Sequence, residues 1–223
     1  MEPTSYEKLS LDGLQKRGKI SERVGSVRKM LRIIPYSQAR KEILDGDALL
    51  FRRRRGSPSE RIVAHAGGGV YYHVAMAGRW HKRLLCLEQV PRYGGRVSKL
   101  SDRVAECPGR IDVYDLRSKV ALRLRQIGHN SVGFMLDSLG SPYGWWTIAR
   151  LSLYHLPIVR WFVPTQTDDR AAPWPLVCST RMALAYRRAG ADPWPGRSDN
   201  MIEPSDFATV PEFFRYRCTL AKG

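Results

Sequence analysis

A chain of 223 residues that is 43% hydrophobic, with six Trp and ten Tyr, is long enough to bury a substantial core and too apolar for general disorder. Its formal charge of +16, from 37 basic and 21 acidic side chains, implies an anionic partner reached by long-range attraction. Phospholipid headgroups, anionic cell-wall polymers and nucleic acid share that chemistry, and no recognised nucleic-acid motif accompanies the charge.

Residues 1–35 read as a basic N-terminal arm in which Val24, Val27, Leu31 and Ile34 recur at helical spacing, with Arg23, Arg28, Lys29 and Arg32 interleaved. One amphipathic helix is predicted, either packed on the domain or serving a membrane surface or a partner. The first eight residues lack the basic-then-apolar pattern of a signal peptide. A cytoplasmic location is therefore expected, or release by a route such as lysis or packaging in a virus particle.

Residues 36–223 read as one domain. Strands are predicted near residues 48–52, 70–77, 84–90 and 111–115, the last announced by Pro108-Gly109, and a small antiparallel sheet accommodates them. Arg52-Arg53-Arg54-Arg55 reads as a solvated loop end, and Gly67-Gly68-Gly69 as a flexible loop that lacks the Lys-Ser/Thr ending of a P-loop. In the second strand, alternation puts His73, Ala75 and Ala77 on one face, and the small neighbours leave room for a thiol. A six-residue polar connection, Gly78 to Arg83, then leads to the antiparallel partner strand, which carries Glu88. Glu88 is the candidate for orienting His73, with Gln89 the alternative if the register slips by one.

From residue 118 to 139, Val120, Leu124, Ile127, Met135 and Leu139 suggest a helix that Gly128 and Gly133 kink or divide, ended by Pro142-Tyr143-Gly144. Residues 145–163 are rich in Trp, Leu and Ile but carry Arg150, His155, Pro157 and Arg160, too interrupted for a transmembrane helix. They read as a buried helix pair or as an apolar wall for an acyl chain. Pro173-Trp174-Pro175 cannot continue a helix, whereas Met182, Ala185, Tyr186 and Ala189 recur at helical spacing until Gly190 stops the run. Cys178 thus falls in a first turn, where unpaired N–H groups favour the thiolate. Taken alone it reads as a small apolar core residue, the fate of most free cysteines; an upstream histidine on a strand turns the reading toward a nucleophile and its base. The four cysteines, Cys86, Cys107, Cys178 and Cys218, show neither CxxC spacing nor a paired-histidine motif, so reduced thiols are expected, with no cofactor, zinc site or disulfide framework. His65, His81, His129 and His155 read as surface or packing residues.

The segments Asp45-Gly46-Asp47-Ala48-Leu49-Leu50-Phe51, Tyr72-His73-Val74-Ala75-Met76, Leu87-Glu88, Pro142-Tyr143-Gly144-Trp145 and Val177-Cys178-Ser179 together resemble the circularly permuted branch of the NlpC/P60 papain-like superfamily. The nearest likeness is to the YiiX-like group, relatives of lecithin:retinol acyltransferase. Strand-before-helix order is what the permuted branch requires, and the resemblance spans residues 43–216, with Ile202-Glu203-Pro204-Ser205-Asp206-Phe207 as a closing segment. It implies an α+β fold, a small sheet packed against helices that include the cysteine helix. It also implies Cys178 as nucleophile, His73 as general base, Glu88 as the third polar residue and Tyr143 near the oxyanion. Where the family often has an acidic residue two places after the cysteine, this chain has Thr180, followed by Arg181. The long stretch from Tyr143 to Cys178 implies an inserted lid or groove wall. The implied activity is cysteine-dependent cleavage or transfer of amide or ester acyl groups, on peptidoglycan peptides or amphiphilic lipid-like substrates. The alternative from another class is a non-catalytic papain-like module that binds an anionic surface, such as a virus-particle or envelope component.

Overall fold

Apolar alternation around His73 forms a strand that runs further than its pattern predicts. β3 spans Tyr71–Trp80 and β4 spans Arg83–Val90, with Trp80 still paired to Arg83. The expected six-residue connection is therefore mostly strand, and the turn shrinks to His81 and Lys82. His81 has φ 51°, the left-handed conformation that a two-residue hairpin demands. The polar composition misleads because Arg79 is spent on backbone: its guanidinium donates to the carbonyl oxygens of Arg40, Lys41 and Ile43.

The computed structural model describes residues 32–52, 69–117, 121–144 and 176–222. Most of the predicted amphipathic arm, Arg53-Arg54-Arg55, His65, Gly67-Gly68, residues 145–163 with His155, and Pro173-Trp174-Pro175 lie outside the described residues. Ile34 does not continue the helical spacing. It sits in β1, Ile33–Pro35, which pairs in parallel with β7, Phe214–Ala221; three residues are too few to show a period, so the pairing partner decides their conformation.

With β2 at Ala48–Arg52, β5 at Gly94–Lys99 and β6 at Ile111–Leu116, one seven-stranded sheet has the order β1-β7-β6-β2-β3-β4-β5. Every pair except β1 with β7 is antiparallel. The sheet is thus larger than the predicted four strands, and mixed. Helices α1 (Tyr36–Ala39), α2 (Leu100–Glu106), α3 (Ala121–Asp137) and α4 (Cys178–Arg188) complete an α+β fold.

Two apolar layers sandwich the sheet. On one side Leu50, Val74, Met76 and Leu87 pack with Ile127 and Met135 of α3 and with Met182, Ala183 and Tyr186 of α4. On the other, Leu49, Phe51, Ala75, Ala77 and Cys86 pack with Ala39, Ile43, Leu100 and Val104. The alternation predicted for β3 is therefore real, but Ala75 and Ala77 face the layer away from the cysteine helix. They do not make room for the thiol. α4 ends as its sequence predicts: Gly190 has φ 88°, its N–H bonds Arg187 O, and the Ala191 N–H reaches back to Tyr186 O, a Schellman closure.

α3 runs unbroken through both glycines, where a kink or division was expected. Gly128 is required by contact: a Cβ there would strike the Asp45 carbonyl, and one on Gly46 would lie 2.7 Å from the Gly128 Cα. The Tyr186 hydroxyl fixes the same turn by donating to Gly46 O at 2.6 Å. Gly133 has open space around its missing Cβ. Gly128→Ala should therefore lower stability by about 1–3 kcal/mol through overpacking, whereas Gly133→Ala should raise it by about 0.5–1 kcal/mol through helix propensity. Urea denaturation of the two variants checks the opposite signs.

Candidate functional site

The nucleophile candidate owes its place to a parted ladder. β3 and β4 pair from Trp80↔Arg83 to Met76↔Leu87 and no further, although β3 runs back to Tyr71 and β4 forward to Val90. Ala77 directs its N–H and C=O to Asp47 and Gly46 on the β2 side, so by alternation those of Val74 point toward β4. With no β4 partner there, the Val74 N–H donates to the Cys178 sulfur.

Cys178 is the first residue of α4, behind an extended Val177 whose side chain provides no cap. The Ser179 N–H donates to the same sulfur. Burial would raise the thiol pKa, but the His73 charge, its hydrogen bond and these two N–H groups outweigh burial and lower it. His73 is the mirror case. Burial alone would depress its pKa, yet the Cys178 thiolate and the Glu88 carboxylate raise it from 6.5 to about 9. The two shifts act together, each favouring the thiolate beside an imidazolium over the neutral pair.

Glu88 orients the ring. Its Oε2 lies 2.8 Å from His73 Nε2, which leaves Nδ1 for the sulfur. The carboxylate is fully buried and also accepts from Arg96 Nε at 2.8 Å and from an Arg103 terminal nitrogen at 3.2 Å. Burial pushes its pKa up, and His73, Arg103 and Arg96 together overcome this and hold it at about 2. The Phe51 ring packs 5.0 Å from the imidazole, with the Arg103 guanidinium 5.1 Å from the Phe51 centroid.

Gln89, the alternative orienting residue, has another task. It is buried, and its amide donates to Pro142 O at 2.8 Å and Ser141 O at 3.3 Å, fastening the loop before Tyr143 to β4. The Gly95 N–H holds Ser141 O as well, at 2.9 Å. A side chain on Gly94 or Gly95 would collide with this loop. Tyr143 is thereby brought to the site: burial first, then the Cys178 charge, raises the pKa of its phenol.

Cys178, His73, Glu88 and Tyr143 are thus all brought to one place. Sequence reading missed Arg96 and Arg103, which neutralise Glu88. The signal for Arg96 was its cross-strand register, Glu88↔Arg96, hidden because Gly94-Gly95 disguises β5 as a turn. His81 lies in the β3–β4 turn and His129 on the exposed side of α3. The four cysteines are free and buried.

No family model and no curated protein matches the sequence. A solved structure does resemble the fold: the metalloprotein YiiX from Escherichia coli O157:H7, at 14% identity and a TM-score of 0.50, with 81% of this chain and 98% of that one covered. At this identity the likeness concerns the fold alone.

Glu88→Gln removes the anion that supports the imidazolium. The His73 pKa should fall by about one to two pH units, so the range in which thiolate and imidazolium coexist narrows from above; the pH profile of Cys178 alkylation by iodoacetamide measures it. Because the Glu88 pKa is depressed from 4.5 to about 2, its stabilising contribution is complete above the higher value and lost as pH falls through the lower. The variant should accordingly be less stable by about 3 kcal/mol near neutrality, a difference that vanishes in acid denaturation near pH 2.

Proposed function

We propose that the chain is a cysteine-dependent acyl hydrolase or acyltransferase with a circularly permuted papain-like fold of the NlpC/P60 type. The observation that carries this reading is one imidazole hydrogen-bonded to both a thiol at a helix N-terminus and a buried carboxylate. The order of the residues, histidine strand before cysteine helix, supports the permuted branch, as does the similarity of fold to YiiX.

In this mechanism the Cys178 thiolate attacks an amide or ester carbonyl, and the Cys178 N–H and the Tyr143 hydroxyl receive the oxyanion. The imidazolium of His73 gives its proton to the leaving nitrogen or oxygen as the carbon–heteroatom bond breaks. A thioacyl enzyme remains. Water, deprotonated by His73, completes hydrolysis, and a second amine or alcohol completes transfer. Glu88 holds the ring and stabilises its charged form throughout. The substrate classes are peptidoglycan stem peptides and amphiphilic acyl compounds.

YiiX is described as a metalloprotein. Among the described residues here no group of three His, Cys, Asp or Glu is placed to hold a metal ion, and the Glu88 carboxylate is committed to His73 and two arginines. No step of the proposed reaction runs through a metal.

The charge of +16 favours a second reading, a non-catalytic module on an anionic surface. Such a module has no use for an activated thiol, so a cysteine-directed probe would label Cys178 no faster than Cys86, Cys107 or Cys218. For the enzyme, Cys178→Ala should abolish turnover with the fold intact by circular dichroism, and wild-type protein should accumulate a thioacyl adduct at Cys178. Mass spectrometry after incubation with purified peptidoglycan and, separately, with lipid amides and esters reads both the adduct and the product. Wild-type turnover in Cys178→Ala would remove the nucleophile.

A further inference from the structure

At the end of β3 away from the thiol, Tyr36, Ser37, Arg40, Lys41 and Arg79 line a cavity of about 360 Å³. Arg79 follows His73 by six residues on β3, a separation of about 20 Å along the strand. Tyr36 packs on the apolar layer that contains Ala39, Ile43, Ala75 and Ala77. Ser37, Arg40 and Lys41 are exposed, whereas Tyr36 and Arg79 are partly buried.

The cavity is fixed by backbone. Arg79 donates from Nε to Ile43 O at 3.0 Å, and from one terminal nitrogen to Arg40 O at 2.7 Å and Ile43 O at 2.6 Å. Carbonyl oxygens orient the guanidinium without cancelling its charge, and its other terminal nitrogen has no acceptor among the described residues. Arg40 donates to Lys82 O at 3.1 Å, which ties it to the β3–β4 turn. The Tyr36 phenol feels both cations: burial raises its pKa, and Arg40 and then Arg79 oppose the rise.

Convergence separates this place from the scattered basic surface of a chain with a charge of +16. Three cationic side chains and two hydroxyls share one concavity, and no acidic residue is among them. Asp102 of α2, whose charge also reaches Tyr36, accepts from Ser101 Oγ at 3.0 Å and is not part of the lining. Cations gathered around one small space repel one another, and an anion placed between them removes that cost.

We infer that this cavity is a binding site for a phosphate group, carried by a lipid headgroup or by a soluble phosphate compound. A phosphate monoester presents three terminal oxygens to two guanidinium groups, an ammonium and two hydroxyls, whereas a carboxylate leaves more of these donors unused. The volume lies near the lower end of ligand cavities, about 300–1,000 Å³, and accommodates a phosphate with a short substituent. The site is separate from Cys178 and independent of the proposed reaction.

Calorimetric titration of the full chain with inorganic phosphate at constant ionic strength should give saturable binding, with acetate weaker. Arg40→Gln combined with Lys41→Gln should weaken phosphate binding about tenfold, the scale of two partly screened ion pairs. Both side chains are exposed, so circular dichroism should show the fold unchanged. Arg123→Gln combined with Arg125→Gln removes the same charge from the exposed side of α3 and should leave the affinity as it was. Two further arms tell the sources apart. Flotation with phosphatidylcholine vesicles containing phosphatidic acid, absent with phosphatidylcholine alone and lost in the Arg40–Lys41 variant, assigns the phosphate to a lipid. Binding of glycerol 3-phosphate without flotation assigns it to a soluble compound. No saturable phosphate binding, an equal affinity for acetate, or the same loss in both double variants overturns the inference.

Discussion

A carboxylate with no exposed surface lies at the centre of this structure. Glu88 is tolerable inside the sheet only because His73, Arg96 and Arg103 surround it. Each of those partners comes from a different element: β3, β5 and α2. Satisfying one buried charge therefore fixes how the edge hairpin, the short helix behind it and the central strand sit together. The imidazole inherits its orientation from that arrangement, and Glu88 adds to the proton affinity that Cys178 raises most.

The second constraint is the interruption of the β3–β4 ladder. A sheet that continued its pairing past Met76 and Leu87 would consume the Val74 N–H. By parting, the strands leave a donor for the sulfur of a helix that approaches from the other layer. The same separation lets Gln89, still on β4, turn its amide to the loop carrying Tyr143. Local loss of sheet hydrogen bonds is offset by bonds to the site, which is why the irregularity falls here and the distal half of the hairpin is regular.

The sequence makes some of this legible and hides the rest for identifiable reasons. β2, β3, β4 and β6 carry runs of apolar residues at strand spacing, and Pro173-Trp174-Pro175 ahead of Met182, Ala185 and Tyr186 marks where the cysteine helix begins. That Glu88 reaches His73 follows from alternation along two strands. β5 begins with two glycines, explained by the backbone of the Ser138–Ser141 turn pressing on them and, at Gly94, by a φ of 67°. In β7, Arg215 and Arg217 break up the apolar signal, and those arginines lie toward Asp115 rather than water alone. A three-residue strand such as β1 has no pattern of its own. Compensation of Glu88 by arginines was invisible because it depends on a strand and a helix whose existence had first to be known.

Cys178 is joined to His73 and Glu88 across a long interval of chain, and the hairpin holding the latter two is made well before the cysteine helix during synthesis. Until that helix docks, the sulfur lacks the Val74 N–H and the imidazolium, and it is an ordinary thiol of low reactivity. On the proposed reading, the nucleophilic power of Cys178 is consequently a property of the finished tertiary structure. On that same reading a nascent or partly unfolded molecule carries the residue without its activating partners, as a thiol like its other cysteines.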